Sequence, residues 1–405
     1  MSSETFVVIG AGQAGGRAVE AMRGAGFTGR IVLVGAEPHL PYERPPLSKE
    51  LLAGDGTPFQ TMFDAAWFAD RDIALHLGRR ATAIVRSARH VMLDDGTALP
   101  YDKILFATGG AALTLAIPGI ALPGVHTLRT IEDCRAIEGL LARNGRITVV
   151  GGGFIGLEIA ASARLRGCAV TVLEYADRLM GRALPPEIGG IFAALHREKG
   201  VDLRLSTGIA AIEGDGRVER VVTSSGDAIP ADGVVIGVGI APDTALATAA
   251  GLAVENGVVV DAYCRTSDPA IYAAGDVTRH FNPLLGRHIR LESWQNAQNQ
   301  AIAAALNMCG QETPFAEVPW FWSDQFDVNL QVCGAPETWG GMIMRGDIAA
   351  RDGILFQRDG DTVTGAIGLN RARDMRMVKR LMTAGKAPSA EQLADDTVSF
   401  RDLLR

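Results

Sequence analysis

Ile147-Thr148-Val149-Val150-Gly151-Gly152-Gly153-Phe154-Ile155-Gly156-Leu157-Glu158 is a β-branched run feeding into Gly-x-Gly-x-x-Gly, with an apolar helical pattern directly after it. It reads as a strand, a tight turn and a helix start. Gly151 turns the chain, Gly153 lets a pyrophosphate approach the backbone, and Gly156 lets the helix pack close to the strand. The helix N-terminus offers free N–H groups and a partial positive charge to phosphates. The same device stands earlier, as Phe6-Val7-Val8-Ile9-Gly10-Ala11-Gly12-Gln13-Ala14-Gly15. One such motif is a weak signal, but two in one chain predict two bound dinucleotides, or one bound twice.

Working outward, each turn is followed by a second strand that ends on an acid. The first unit predicts a strand at Phe6–Ile9, a helix from about Ala14 to Arg23, and a strand at Ile31–Val34 leading to Glu37. The second predicts a helix from Phe154 to about Arg166 and a strand at Ala169–Leu173 ending on Glu174, 18 positions after Gly156. An acid in that place holds the hydroxyls of an adenosine ribose and repels a 2′-phosphate. Glu174 therefore predicts NAD rather than NADP; Arg178 nearby pulls the other way and Asp177 offsets it.

Between the two units runs Pro41-Tyr42-Glu43-Arg44-Pro45-Pro46-Leu47-Ser48-Lys49, stiffened by three prolines, with Lys49 opening a short helix. Both a ligand-holding loop and a proline-started helix with solvated charges fit this pattern. Ala107-Thr108-Gly109 closes the strand Tyr101–Phe106, and Pro118, Gly119, Pro123 and Gly124 mark a crossover. A helix at Ile131–Leu141, a helix at 187–199, a strand at 201–205, a hairpin near Gly214-Asp215-Gly216 and a buried strand at Asp232–Gly239 fill the second unit. Gly239-Ile240-Ala241-Pro242 reads as the return to the first. Ile271-Tyr272-Ala273-Ala274-Gly275-Asp276 predicts a strand ending on Gly-Asp at a helix start, where Gly275 N–H and Asp276 could hold a polyol or simply cap the helix. After Gly310 the texture changes. Pro319-Trp320-Phe321-Trp322 and strand patterns at Val328–Val332, Met342–Arg345 and Ile354–Gln357 predict an antiparallel sheet with a helical tail.

Composition narrows the function. The 405 residues are 47% hydrophobic with 48 glycines, enough for two or three α/β cores. A formal charge of −7 argues against general nucleic-acid binding. No apolar run reaches membrane-spanning length, and the first strand begins too early for a signal peptide before it. Cys134, Cys168, Cys264, Cys309 and Cys333 show no metal spacing, so no metal site is expected, and reduced, buried thiols in a cytoplasmic protein are. His76, His90 and His196 fall in ordinary segments and read as structural or exposed.

In this order the motifs resemble the FAD-dependent ferredoxin reductases of bacterial aromatic-ring dioxygenase and haem monooxygenase systems, such as the biphenyl dioxygenase ferredoxin reductase and putidaredoxin reductase. They run Gly10-x-Gly12-x-x-Gly15, Arg44-Pro45-Pro46-Leu47-Ser48-Lys49, Ala107-Thr108-Gly109, Gly151-x-Gly153-x-x-Gly156 and Tyr272-Ala273-Ala274-Gly275-Asp276, with Glu292-Ser293-Trp294-Gln295-Asn296-Ala297 and Pro319-Trp320 after them. The likeness covers the whole chain. It implies a glutathione-reductase-like α/β fold: two Rossmann-type nucleotide domains plus a C-terminal α+β domain. The FAD domain would span 1–110 and 239–312, the NADH domain 111–238 and the C-terminal domain 313–405.

The resemblance also implies site roles. FAD pyrophosphate would lie at Gly10, Gly12, Ala14 and Gly15 and its adenosine ribose at Glu37. Arg44, Pro45 and Lys49 would lie along the flavin, with Arg129 near it and Gly275 and Asp276 on the ribityl chain. Ala107, Thr108, Gly109, Gly239 and Trp294 count among the cofactor-binding positions, and Trp320 would face the flavin–nicotinamide site. NADH would use Gly151, Gly153, Phe154, Ile155, Gly156, Glu158 and Glu174. Disulfide reductases of this fold carry a redox cysteine pair where this chain has Tyr42 to Lys49, and no cysteine precedes Cys134.

Electrons would then pass from NADH to FAD and leave the flavin singly, for a [2Fe-2S] ferredoxin serving a Rieske-type oxygenase or a haem monooxygenase. A rubredoxin acceptor, or a slow signalling flavoprotein like the apoptosis-inducing factors, are the competing readings. Lys49 and Glu158 are the expected tuning pair, since a buried ammonium needs a partner and a cation there favours the reduced flavin. Glu158 could instead pair with Ser162 one turn on. Arg371, Arg373, Arg376, Lys379 and Arg380 form a basic run that reads either as a surface for an acidic ferredoxin or as a solvated helix face.

Overall fold

A computed structural model describes residues 4–54 and 56–405. The chain divides into two units. One comprises the chain up to Arg44, Phe59–Ala111 and Ala241–Pro319; the other comprises Pro45–Pro58, Ala112–Ile240 and Trp320–Arg405.

The first unit is built on five parallel strands in the order Ile271–Ala273, Lys103–Phe106, Thr5–Ile9, Arg30–Gly35, Ile73–Leu77. Alternation along Thr5–Ile9 serves both faces. Phe6 and Val8 pack with Ala14, Ala18 and Met22 of the helix Gln13–Gly24 and with Ala301 and Ala304 of the helix Trp294–Met308. Val7 and Ile9 pack on the other side with Val91, Leu93 and Leu99 of a small antiparallel sheet.

Two features here differ from the sequence reading. No helix follows Asp276. Thr278–Asn282 is a strand instead, its alternating burial suited to period two, paired with Val258–Val260 and Arg287–Ile289. The long helix Trp294–Met308 escaped notice because its buried face is made of alanine, asparagine and glutamine rather than large apolar residues.

The second unit repeats the plan with strands Asp202–Arg204, Ala169–Leu173, Arg146–Val150, Gly233–Ile236 and Val125–Thr127, all parallel. The helix Phe154–Leu165 follows the central strand, and Ile131–Leu141 is a helix closed by a capping box at Thr130 and Asp133. The same unit carries a five-stranded antiparallel sheet, in the order Trp320–Gln325, Val328–Gly334, Thr362–Leu369, Asp352–Asp359, Ile343–Asp347. The helix Ala372–Thr383 covers it through Met375, Val378 and Leu381. Trp320–Gln325 and Thr362–Leu369 are strands the sequence reading did not name. The first hides behind its aromatic density and the second behind glycine and threonine.

His280 sits fully buried on Thr278–Asn282, edge-on to Phe315. Burial, with His288 adding repulsion, pushes its ring down to about 4 from an ordinary 6.5. Between those values the unfolded chain binds a proton that the folded chain refuses. Stability held above the ordinary value is therefore lost as pH falls toward the lower one, by about 3 kcal/mol from this residue. Chemical denaturation across that window should show a shallower loss for His280→Gln than for wild type; parallel curves would contradict this origin.

Candidate functional site

The two glycine turns share one geometry. In each, the first glycine is left-handed and faces a neighbouring carbonyl. Gly10 has φ +115° and Gly151 φ +111°, and an added Cβ would meet Ala107 O at 2.1 Å or Gly237 O at 2.4 Å. The third glycine lies under the first: a Cβ on Gly15 would stand 1.9 Å from Gly10 O, and one on Gly156 2.2 Å from Gly151 O. The middle glycine faces open space. Gly12 has only Arg44 Nη2, at 4.0 Å, within reach of a Cβ, and Gly153 has nothing within 4 Å. Gly12 and Gly153 are also the N-cap residues of their helices, and neither supplies a side-chain cap. Bare helix N–H groups beside a space that any side chain would fill fit a pyrophosphate at both places.

An acid stands at the strand end beside each turn. Glu37 accepts from Tyr42 Oη at 2.5 Å and pairs with Arg44 Nη2 at 2.8 Å, and the guanidinium lies over the Tyr42 ring. Arg44 thus belongs to the Glu37 end of the first turn. Glu174 accepts from Gly152 N at 2.6 Å and Ala176 N at 2.7 Å, which fixes its carboxylate at the second turn. Tyr175 beside it is 84% exposed, and Ile155 in the first helical turn is also exposed. Tyr175 escaped the sequence reading because a single tyrosine after a strand carries no pattern. Arg178 bends back to Gly181 O.

Other expected positions gather in the first unit. The Ala107 carbonyl abuts Gly10, Thr108 Oγ1 donates to Asp243 O at 2.8 Å, and Gly109 is left-handed at φ +66°. Gly275, at φ +84°, packs on Ala14 and donates its N–H to Gln300 Oε1, with Asp276 next to it. Trp294 opens the long helix. In the second unit, Arg129 precedes the Thr130 cap and donates its backbone N–H to Asp133, and Gly239 is left-handed beside Arg182.

The helix Phe154–Leu165 grips the proline-rich loop along one stripe. Glu158 Oε1 lies 2.6 Å from Lys49 Nζ, Ser162 Oγ donates to Ser48 O at 3.0 Å, and Arg166 donates to Leu52 O at 3.2 Å. Spacing of four residues brings these side chains to one face. Ser162 is thus engaged with the loop backbone while Glu158 takes the lysine. Ser48 Oγ donates to Glu158 Oε2 at 2.5 Å and Ser323 Oγ to Oε1 at 2.6 Å, so a carboxylate only 2% exposed receives three donors. Nothing in the sequence pattern marked Ser48 or Ser323 for this. Lys49 Nζ also lies 5.8 Å from the Trp322 ring, which stacks on Trp320 at 5.2 Å between centroids; Trp320 Nε1 donates to Gln331.

All five cysteines are free, and four are buried. Burial raises the Cys134 thiol to about 11 and Cys333 to about 12, and raises Cys264 further. These thiols stay protonated and make poor nucleophiles. Among the described residues no group of three or more His, Cys, Asp or Glu is arranged to hold a metal, and no helix is long and apolar enough to cross a membrane.

Residues 4–301 match the model for pyridine nucleotide-disulphide oxidoreductases, and residues 320–404 match a reductase C-terminal domain. The chain belongs to the pyridine nucleotide-disulphide oxidoreductase family. It is 48% identical, over all of both chains, to the anthranilate 1,2-dioxygenase system ferredoxin–NAD(+) reductase component of Burkholderia cepacia. It is 42% identical to rhodocoxin reductase of Rhodococcus erythropolis, over 96% of this chain and 92% of that one. Its fold superposes on a crystal structure of the covalent putidaredoxin reductase–putidaredoxin complex with a TM-score of 0.96 at 35% identity, covering 100% of this chain and 99% of the other. The expected glutathione-reductase-like fold with its appended domain is thereby shown. Among members of this family, the present one lacks any cysteine in the loop from Tyr42 to Lys49.

Glu174 is the residue expected to set the choice of nucleotide. Exchange to Arg should raise NADPH turnover relative to NADH by about tenfold or more, as repulsion becomes attraction. Steady-state kinetics with both nucleotides check it, and a wild-type preference for NADPH would overturn the assignment.

Proposed function

We propose that the protein is an NADH:ferredoxin oxidoreductase, with FAD at the Gly10–Gly15 turn and NADH at the Gly151–Gly156 turn. The observation that carries this is the pair of turns with matching geometry, each with its acid, in a chain with no cysteine before Cys134. FAD, when bound, supplies the conversion of a two-electron donor into single-electron transfers. The FAD domain is taken as 1–110 with 239–312, the NADH domain as 111–238 and the C-terminal domain as 313–405.

The chain's own residues bind, orient and exclude water. Gly10, Gly12, Ala14 and Gly15 receive one pyrophosphate on bare helix N–H groups, with Glu37 and Arg44 toward its ribose and Gly275 and Asp276 toward its polyol. Gly153, Phe154, Ile155 and Gly156 receive the other, with Glu174 on the ribose hydroxyls. Lys49, held by its ion pair with Glu158, would lie along the flavin, and Trp320 would face the flavin–nicotinamide site. The roles of Pro45, Ala107–Gly109, Arg129, Gly239 and Trp294 are those of cofactor walls.

The acceptor we propose is a [2Fe-2S] ferredoxin in the cytoplasm, serving a Rieske-type oxygenase or a haem monooxygenase. Support comes from the relative that is the ferredoxin–NAD(+) reductase component of a dioxygenase system, and from the likeness to a reductase solved in complex with putidaredoxin. On the helix Ala372–Thr383, Arg373, Arg376 and Arg380 are exposed on one face, while Arg371 is drawn into ion pairs with Asp352, Asp374 and Asp396. The basic face for an acidic ferredoxin is therefore carried by the first three.

Purified protein loaded with FAD should bleach on anaerobic addition of NADH, and cytochrome c reduction should require added ferredoxin; an unbleached flavin would overturn the reading. Lys49→Met should slow flavin reduction by NADH in stopped flow by about tenfold or more, and an unchanged rate and spectrum would remove Lys49 from it. Added salt should slow ferredoxin-dependent cytochrome reduction while NADH-to-dye turnover holds steady, because steering of exposed charges is screened. Equal sensitivity in both assays would remove the basic face.

A further inference from the structure

The strand Trp320–Gln325 has one face that carries Trp320 and Trp322 and another that carries Phe321, Ser323 and Gln325. Each residue of the second face meets a helix of the same unit. Phe321 packs edge-on against Phe154 at 5.0 Å between centroids, Ser323 Oγ donates to Glu158 Oε1 at 2.6 Å, and Gln325 Oε1 lies 2.9 Å from His196 Nε2. Gln325 Nε2 also donates to Ser323 Oγ at 3.1 Å. Ser323, Gln325 and His196 are fully buried.

The direction of every hydrogen in this chain is forced. A carboxylate only accepts, and Ser323 has a single hydroxyl hydrogen, which Glu158 takes. Gln325 must then offer its amide nitrogen to the serine oxygen, leaving its carbonyl toward His196. A carbonyl also only accepts, so His196 Nε2 carries the hydrogen. Burial drives His196 toward its neutral form, which leaves Nδ1 bare, and Nδ1 has no hydrogen-bond partner in the structure. A buried imidazole with one unmatched nitrogen is unfavourable for packing alone. What the ring contributes is the hydrogen it sends along the chain.

Resting on the role proposed above for Lys49 and Glu158, we infer that Ser323, Gln325 and His196 are positioning residues for that pair, a one-way donor relay that holds the Glu158 carboxylate toward Lys49. Removal of Ser323 leaves Oε1 with Lys49 alone. Removal of Gln325 frees the serine hydroxyl to turn and leaves His196 Nε2–H without an acceptor. The hydrogen bonds of Ser323 and Gln325 run to Glu158 and His196, so the relay acts on the charge pair and not on nucleotide affinity.

Two measurements test this. Imidazole 15N spectra of the FAD-loaded wild-type protein near neutral pH, with His196 assigned by its loss in His196→Asn, should show the neutral Nε2–H tautomer. The Nδ1–H tautomer would overturn the relay whatever NADH does. In stopped flow, Ser323→Ala and Gln325→Leu should each slow flavin reduction at saturating NADH by about tenfold, the size of a lost hydrogen bond to a charged group. The KM for NADH should stay close to wild type, the melting temperature should fall by about a few degrees because a buried partner is left unmatched, and the flavin midpoint potential should shift. Ser323→Thr, which keeps the hydroxyl, should recover most of the rate. A defect confined to KM, or an unchanged potential and rate, would overturn the proposal. If Ser323→Ala does not retain FAD, the tautomer in the wild-type protein decides alone. A wild-type flavin that NADH does not reduce would instead sink the oxidoreductase reading, a result distinct from either tautomer.

Discussion

A glycine Cα lying against a carbonyl oxygen, repeated at two turns, is the constraint on which the molecule depends. Gly15 lies so close under Gly10 O, and Gly156 so close under Gly151 O, that a methyl group has no room at either place. This approach lets a helix start directly off a parallel strand with its first N–H groups pointing outward. Parallel strands bury both faces and need a helix on each crossover, so the close start also sets how tightly each sheet is covered. Phosphate binding and core packing are thus one geometric condition, met twice.

The second demand is electrostatic. A buried carboxylate paired with a buried ammonium is favourable only when the remaining lone pairs are matched. Glu158 meets this through Lys49, Ser48 and Ser323, drawn from a proline-stiffened loop and from the first strand of the antiparallel sheet. Two separated pieces of chain are tied to one side chain. The proline-rich loop has only a single 3-10 turn at Pro45–Ser48 and the short helix Glu50–Ala53, and these contacts hold it. Its backbone is clamped by Ser162 and Arg166 while its lysine is clamped by Glu158.

Much of this was legible in the sequence, and the reason is local. Glycine motifs, β-branched runs and a strand-final acid are short-range signals, so Ala169–Leu173 and Ile131–Leu141 could be bounded to the residue. What stayed hidden depends on contacts between distant segments. Ser323, Gln325 and His196 are ordinary residues until Glu158 is brought to them, and no spacing announces it. Arg44 reads as a flavin neighbour from its motif, whereas the folded loop turns it onto Glu37. The helix Trp294–Met308 was hidden by chemistry of another kind: alanine packs by closeness, not by bulk, and leaves no apolar stripe to find. After Gly275 the opposite error occurred, where a capping residue promised a helix and the alternation of Thr278–Asn282 outweighed it.

The two-sided strand Trp320–Gln325 has an evolutionary corollary. Its side chains alternate strictly, with tryptophans on odd steps and the polar anchors between them, so the segment tolerates exchange of single residues far better than any change in length. Deleting or inserting one residue would rotate the indoles into the place of the serine and glutamine and strand both sets at once. Length variation among descendants of this chain should therefore fall outside the segment, in connections such as the one between Gly334 and Ile343, where the backbone has no such alternation to preserve.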